Sequence, residues 1–373
     1  MSVRDVIAEE IRVCGAIPFS RYMELCLYHP TLGYYSRAQQ KFGKGGDFYT
    51  ASDVHAIYGR LMARQFEEMW RAMDRPARLN IVELGPGRGL FAQDVLAWVG
   101  KKFRPFAAAL RYVLMESSPT LQANLGERFR AELSTGQVET CEGLEHVPYA
   151  ENAIIFANEF FDAVPVEVIG SRGELRVSLD DTGNFVERFV APSSEVGDFL
   201  DGYGLRPQAK ERTEAAPRIQ AIIRQMMASF QRGFCVIVDY GYTRNELVAG
   251  RHLDTVRAFR NHRMNANIFD APGEQDITAD VNFSAVAEIA TSNGAVAMPL
   301  LTQSQFLLGI GEQTQFADVF EECVLPQERT KRALQLKHLV TPAGMGEAFH
   351  VLLLAKGVAR EKAAQLSGLA FGK

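Results

Sequence analysis

The sequence predicts an α/β fold with a doubly wound parallel sheet, and three observations lead to it. Short apolar runs alternate with helical patterns from residue 79 onwards, which is typical of such sheets. A glycine-rich turn follows the first run. The 373 residues are 47% hydrophobic and 23% charged, as in ordinary globular proteins with a sizeable core. The predicted strands are residues 79–84, 112–115, 138–141, 153–157, 234–238 and 349–356.

A helical segment precedes this alternation, and two stretches interrupt it, residues 166–190 and the polar stretch 240–276. Before the sheet, Tyr58, Met62 and Phe66 recur at helical spacing. Around a turn at residues 180–184, strand-like alternation indicates antiparallel hairpins. The predicted segments are a helical N-terminal segment (1–78), the first part of the core (79–165), a β-rich insertion with a helical connection (166–215), and the second part of the core (216–373), which includes a long lid-like loop (240–276).

Net charge and cysteine usage argue against several classes of protein. Forty basic and 45 acidic side chains leave a net charge of -5, so nothing predicts binding to nucleic acid or to an anionic membrane. Five cysteines without a CxxC pair fit no disulfide framework, and the histidines show no metal-ligand spacing, so no metal is expected. No apolar run approaches the roughly 18 residues of a membrane span, and the acidic start argues against a leader. We expect a bacterial cytoplasmic protein, or a mitochondrial matrix protein only if a leader has been removed.

The most informative segment is the glycine turn at residues 83–89, which read ELGPGRG between a predicted strand and a predicted helix. A dinucleotide-binding turn would place its third glycine at position 90 and an acidic residue about 20 residues later. Leu90 stands at that position, and Glu116, the next acid at a strand end, comes later than this spacing requires. The pattern instead resembles the E/DxGxGxG loop of class I S-adenosylmethionine-dependent methyltransferases.

Such a loop suits a ligand with an amino-acid head and a ribose diol, since no phosphate has to be held. Glu83 would attract the ammonium group, and Glu116 would accept both ribose hydroxyls as a bidentate carboxylate. After the third strand, Gly143 and Leu144 would meet the adenine through the backbone. The residues predicted to bind near the turn are Glu83, Gly85, Pro86, Gly87, Gly89, Glu116 and Ser117. The alternative is an ordinary strand-to-helix turn.

A second group of polar residues follows the predicted strand 153–157. Asn158, Glu159 and Asp162 come at the carboxyl edge of the sheet, where ligands of open α/β sheets bind. We assign Asn158 to the cofactor and the two acids to the acceptor side; the alternative is that these acids are solvated loop side chains. His262, in the long polar loop, could be a base or a substrate contact, although a lone loop histidine is more often a surface residue.

Seven ordered segments together resemble one family. They are residues 19–23, 27–35, 46–50, 83–89, 158–165, 239–241 and 272–283. The family is that of the MidA-type methyltransferases, whose mitochondrial members are protein arginine methyltransferases needed for assembly of respiratory complex I. The match covers most of the chain.

The resemblance implies a class I methyltransferase (Rossmann-like) fold, S-adenosyl-L-methionine as cofactor and N-methylation of an arginine on a protein substrate, with a respiratory complex I subunit as one candidate. Three N-terminal residues would close over the cofactor: Gly46, Asp47 and Thr50. Glu159 would pair with the guanidinium, and Asp162 or His262 would assist proton loss. A homodimer is left open.

Other functions stay open at this point. The same residues could serve a small-molecule N- or O-methyltransferase. They could also serve a cofactor-binding assembly factor that acts by docking a partner, with weak or absent methyl transfer. A nicotinamide dehydrogenase fits poorly because of Leu90 and the late acid.

Overall fold

The structure is a computed structural model. It describes residues 1–36, 56–205, 207, 211–246, 255–260, 263–265 and 267–372. The strands in chain order are β1 (Ile17–Pro18), β2 (Leu79–Leu84), β3 (Leu110–Met115), β4 (Val138–Cys141), β5 (Ala150–Asn158), β6 (Glu167–Gly170), β7 (Gly173–Leu179), β8 (Phe185–Val190), β9 (Arg212–Ala215), β10 (Phe230–Tyr242), β11 (Arg257–Arg260), β12 (Arg263–Asn265), β13 (Asp276–Thr278), β14 (Val281–Asn282), β15 (Ala295–Ala297), β16 (Leu301–Thr302) and β17 (Phe349–Lys356).

The α-helices connect and cover these strands. In chain order they are α1 (Val3–Cys14), α2 (Phe19–Tyr28), α3 (Ala56–Ala72), α4 (Leu90–Lys102), α5 (Arg104–Ala109), α6 (Pro119–Arg128), α7 (Arg130–Thr135), α8 (Ser194–Tyr203), α9 (Pro217–Ala228), α10 (Phe283–Ser292), α11 (Gln303–Glu312), α12 (Ala317–Phe320), α13 (Pro326–Val340) and α14 (Arg360–Ala363). Within the described ranges, every helix falls short of the length and apolar character that a membrane span requires.

The central sheet confirms the predicted doubly wound fold. Its strands β10, β5, β2, β3 and β4 are neighbours and run parallel, and β17 pairs with β10 in the antiparallel direction. The chain builds outwards from β2 to β4 and then returns to β5 on the other side of β2. The strand order therefore reverses between β2 and β5, and such a switch point opens a crevice at the carboxyl ends of the strands.

Side chains of the central strands alternate between two apolar layers, because successive residues of a strand point to opposite faces. In β2, Ile81 packs into one layer with α3, α4 and α11. Val82 packs into the other layer with α1, α2, α9 and α10. Both faces of the sheet are thus covered, which is the usual state of a parallel sheet.

A second, antiparallel sheet lies in the same layer as Val82. Its strands β6, β7, β8 and β9 come from residues 167–215, and β7 and β8 form the hairpin that alternation around the turn 180–184 predicts. The fifth strand is β1, in which Ile17 pairs with Val177 of β7. The start of the chain and residues 167–215 thus share one sheet, a link that sequence patterns alone do not reveal.

The stretch 240–276, which the sequence predicts to be a loop, contains regular structure where it is described. Strand β10 continues to Tyr242, and β11 pairs with both β12 and β13 in a small antiparallel sheet. These strands have three or four residues each. So short a strand offers too few positions for alternation to show, which is why the loop prediction was wrong here.

Candidate active site

A cavity of about 650 Å³ opens at the switch point, beside the carboxyl ends of β2, β3, β4 and β5. Side chains from residues 24–36 and from α9 also line it. This volume is within the range of small-molecule sites. The sequence-predicted residues in its wall are Glu83, Gly85, Pro86, Gly87, Glu116, Ser117, Gly143, Leu144, Asn158, Glu159 and Asp162. Four others lie outside the described residues: Gly46, Asp47, Thr50 and His262.

The glycine turn needs glycine for its backbone conformation. Gly85 and Gly87 have φ values of 64° and 54°, in the left-handed region that favours glycine. The N–H of Gly85 donates to the carbonyl of Met115 at 2.9 Å, which ties the turn to the end of β3. A side-chain carbon at Gly87 would meet nothing within 4 Å, so the backbone there faces open space in the cavity wall.

Gly89 differs from the other two glycines, because it lies behind the cavity wall, and its contact with the cofactor stays a prediction. It is the N-cap of α4 with a φ of 72°, and it is not among the residues that line the cavity. A Cβ at this position would lie 2.6 Å from Leu125 and 2.7 Å from Phe129. Gly89 therefore allows α6 and its C-terminal flank to pack closely against the turn.

Glu83 is buried at the end of β2, on the same strand face as Ile81. Its Oε2 accepts a hydrogen bond of 2.8 Å from the hydroxyl of Tyr112. Burial, together with a smaller effect of the charge of Glu116, raises the pKa of Glu83 to about 8, although the hydrogen bond from the Tyr112 hydroxyl acts in the opposite direction. A cationic group in the cavity would stabilise the carboxylate form.

Glu116 follows β3 and is also buried. Its two oxygens accept from the backbone N–H groups of Ser118 at 2.9 Å and Gly87 at 3.3 Å. Burial raises its pKa to about 7, against the effect of these N–H donors. Backbone donors thus hold this carboxylate in place at the cavity wall, where it can accept further hydrogen bonds from a ligand.

The last residue of β5, Asn158, and the residue after it, Glu159, place two more polar side chains in the wall. The Asn158 amide accepts from the Tyr58 hydroxyl at 2.9 Å and donates to Glu159 at 3.1 Å. Glu159 has a φ of 50°, which is uncommon for a residue with a side chain. Such backbone conformations persist only where the surroundings enforce them and are concentrated at functional sites.

Three aspartates meet near this segment. Burial raises the pKa of Asp162 well above its ordinary range, and the neighbouring charges of Asp239 and Asp276 raise it further. Asp276 belongs to β13 and accepts from the Tyr35 hydroxyl at 2.9 Å. Among the described residues, no group of three or more histidine, cysteine or acidic side chains is arranged to hold a metal ion.

Among the cavity-wall residues that carry no prediction from the sequence are Tyr35, Arg88 and Asp276. Each lies in one of the segments on which the family resemblance rests. That resemblance was therefore the feature of the sequence from which they could have been predicted. Asp239 directly follows the predicted strand 234–238. In the structure its carboxylate accepts hydrogen bonds from the backbone N–H groups of residues 160–162.

Fold and cavity together define a class I S-adenosyl-L-methionine-dependent methyltransferase. The chain belongs to a family of such enzymes, since the family model for S-adenosyl-L-methionine-dependent methyltransferases matches residues 61–300. This confirms the family resemblance read from the sequence.

Curated relatives and solved structures agree with this assignment. The Drosophila melanogaster protein arginine methyltransferase NDUFAF7 homolog, mitochondrial, is 29% identical over 96% of this chain and 85% of its own length. The human protein arginine methyltransferase NDUFAF7, mitochondrial, is 27% identical over 92% of this chain and 81% of its own. A COG1565 superfamily member from Burkholderia thailandensis, crystallised with S-adenosyl-homocysteine, is 30% identical with a TM-score of 0.84, and covers 99% of this chain and 95% of its own. S-adenosyl-L-methionine is accordingly the cofactor of this chain.

Proposed function

We propose that this protein transfers a methyl group from S-adenosyl-L-methionine to an arginine nitrogen of a protein substrate. The observation that carries the proposal is the group of carboxylates in one part of the cavity wall, formed by Glu159, Asp162 and Asp276. A site with several carboxylates favours a cationic acceptor over a neutral or anionic one. The names of the curated relatives, which are protein arginine methyltransferases, support the same choice.

At the proposed cofactor end of the cavity, each part of the ligand would meet a complementary group. When bound, S-adenosyl-L-methionine supplies an electrophilic methyl group. Glu83 would attract its ammonium, Glu116 would accept its ribose hydroxyls, and Arg88 would face its carboxylate. Gly143 and Leu144 would meet the adenine. The other proposed contacts are Gly85, Pro86, Gly87, Ser117 and Asn158.

At the acceptor end, the protein has to orient a guanidinium and remove one proton from it. A guanidinium has a pKa above 12 and presents a planar fork of N–H donors that matches a carboxylate. Glu159 would form this bidentate pair and localise the positive charge away from the reacting nitrogen. Asp162, whose pKa is raised by burial, is suited to accept the proton as the methyl group is transferred.

The test is methyl transfer in an extract. Cells that lack the protein should retain its acceptor in the unmethylated form. When purified protein and tritiated S-adenosyl-L-methionine are added to an extract of such cells, a polypeptide should become labelled. Mass spectrometry should then place the methyl group on arginine. A labelled respiratory complex I subunit would also identify the partner that the family resemblance suggests.

The test variant is Glu159→Gln, directly after the end of β5. Its matched control is Glu151→Gln, near the start of the same strand. Glu151 is exposed at the far end of β5 and should behave as wild type. Loss of the charged pair should lower the rate of transfer about 100-fold, from a loss of about 3 kcal/mol. Binding of S-adenosylhomocysteine, measured by calorimetry, should remain close to that of wild type.

Other results would point to the rival functions. Label only in the low-molecular-weight fraction would indicate a small-molecule methyltransferase. Full biological activity of a Glu159→Gln variant that transfers no methyl group would indicate an assembly factor that acts by docking.

A further inference from the structure

Asp239 lies beside the loop of residues 159–162, which follows β5 and carries Glu159 and Asp162. Unlike these two side chains, Asp239 does not line the cavity. Strands β10 and β5 are parallel, and Val238 pairs with Asn158, so Asp239 stands next to the start of the loop. Its side chain is fully buried, and it is not among the described residues that line the cavity. Any influence of Asp239 on the acceptor must therefore act through its neighbours.

The Asp239 carboxylate accepts hydrogen bonds from four backbone N–H groups. Its Oδ2 accepts from Phe161 at 2.9 Å, from Phe160 at 3.2 Å and from Asp162 at 3.3 Å. Its Oδ1 accepts from Tyr240 at 2.9 Å. Three consecutive residues of the loop thus point their N–H groups at one oxygen atom.

The loop needs such an acceptor because its backbone leaves the sheet at this point. Glu159 is the last residue with a sheet-like bond, since its N–H donates to the carbonyl of Val238 at 2.9 Å. Its φ of 50° then turns the chain sharply. Buried N–H groups after the turn would be costly without a partner, and a strained turn persists only if its surroundings enforce it.

We propose that Asp239 is a positioning residue for methyl transfer: by collecting the N–H groups of residues 160–162, it sets the direction in which Glu159 and Asp162 face the cavity. The roles of these two side chains rest on the proposed function, whereas their placement by Asp239 does not. Asp239 touches neither acceptor nor cofactor.

Electrostatics supports this role. Burial and the nearby charge of Glu159 raise the pKa of Asp239 to about 8, although the hydrogen bonds from the backbone N–H groups act in the opposite direction. The N–H donors and the carboxylate therefore stabilise each other. A neutral asparagine would keep one acceptor oxygen for the loop. Its NH₂ group would stand opposite the N–H of Tyr240, and two donors cannot form a hydrogen bond with each other.

The experiment compares Asp239→Ala and Asp239→Asn with wild type in two measurements. Amide hydrogen exchange follows the protection of residues 159–162, which needs no acceptor substrate. Labelling of the extract, at increasing concentrations of S-adenosyl-L-methionine, separates the maximal rate from the KM for cofactor.

We expect Asp239→Ala to lose protection in the loop and to lose about 100-fold in maximal rate, because small misplacements of catalytic groups have effects of this size. The KM for cofactor should stay near that of wild type, since the cofactor end of the cavity is not altered. Asp239→Asn retains one acceptor oxygen, so its maximal rate should be roughly tenfold higher than that of Asp239→Ala, and part of the loop protection should return.

Asp318→Ala is the matched control. Asp318 is also a buried carboxylate, and it accepts from the indole N–H of Trp98 at 2.9 Å and pairs with Arg64, away from the cavity. This variant should lower the melting temperature without changing the rate per folded molecule. A general loss of stability would therefore not reproduce the effect of Asp239→Ala.

Unchanged loop protection in Asp239→Ala would overturn the proposal, as would a loss of protection at an unchanged rate. If Asp239→Ala does not fold, wild-type exchange and rate in Asp239→Asn would overturn it equally. If wild type labels nothing, the proposed function fails, and hydrogen exchange alone decides whether Asp239 positions the loop.

Discussion

The two ends of the cavity hold their carboxylates in different ways. At the end where we propose that the cofactor binds, Glu83 and Glu116 have separate donors, a tyrosine hydroxyl for one and two backbone N–H groups for the other. At the acceptor end, Asp162 is buried close to Asp239 and Asp276, so like charges oppose one another. The first arrangement is preorganised to accept hydrogen bonds, whereas the second gains most from a cation. The four predictions below test this contrast.

Removal of charge at the cofactor end should have the largest effect. Glu116→Gln loses a carboxylate that would accept two ribose hydroxyls, and a loss of about 3 kcal/mol corresponds to an increase of about 100-fold in Kd for S-adenosylhomocysteine. Isothermal titration calorimetry measures this, with Glu127→Gln on the exposed face of α6 as control. Wild-type affinity in Glu116→Gln would remove this residue from the cofactor site.

Gly89→Ala tests the separation between ligand binding and packing within the glycine turn. A side chain there must adopt the left-handed region and would contact Leu125, so we expect a stability loss of about 2 kcal/mol with little change in cofactor affinity. Urea unfolding measures the loss. Gly126→Ala is the control, because α6 offers open space at that position and alanine should be neutral or stabilising. A large loss of affinity in Gly89→Ala would instead place Gly89 in the cofactor site.

The raised pKa values predict how stability depends on pH. The folded state keeps a proton on Glu83 up to a pKa of about 8, whereas the unfolded chain releases it near the ordinary value of 4.5. Because the folded state then binds more protons, the free energy of unfolding should fall as pH rises from about 5 to 8, by up to about 1.4 kcal/mol per pH unit for this group.

Urea unfolding at several pH values checks this slope. Glu83→Gln should flatten it, and S-adenosylhomocysteine should also flatten it because the ligand's ammonium would favour the ionised form. A slope that is unaffected by the ligand would mean that the cation does not bind beside Glu83.

The smallest effect is expected at the acceptor end, for Tyr35→Phe. This change removes the hydrogen bond to Asp276 and should cost about 1 kcal/mol of stability, or about 2 °C in melting temperature. Calorimetric binding of S-adenosylhomocysteine should not change. Tyr149→Phe, on an exposed side chain, is the control and should melt as wild type. A weaker cofactor affinity in Tyr35→Phe would show that the two ends of the cavity are not independent.

The sequence predicts which residues line the cavity better at one end than at the other. Glu83, Gly85, Gly87 and Glu116 belong to consecutive strands and their connections, so local pattern and the rules of parallel sheets bring them together. At the acceptor end, Asp276 and Tyr35 meet although 241 residues separate them. No periodicity or spacing connects such positions.

The order of apolar runs and the glycine turn by themselves determined the α/β class and the parallel strands. These features depend on backbone conformation and on side-chain alternation, which neighbouring residues specify. Only the tertiary structure decided that Gly89 serves packing, that β1 joins the second sheet and that Asp239 holds the acceptor loop. Those outcomes depend on contacts between distant segments, and such contacts are selected by the total free energy of the folded chain and not by any local pattern.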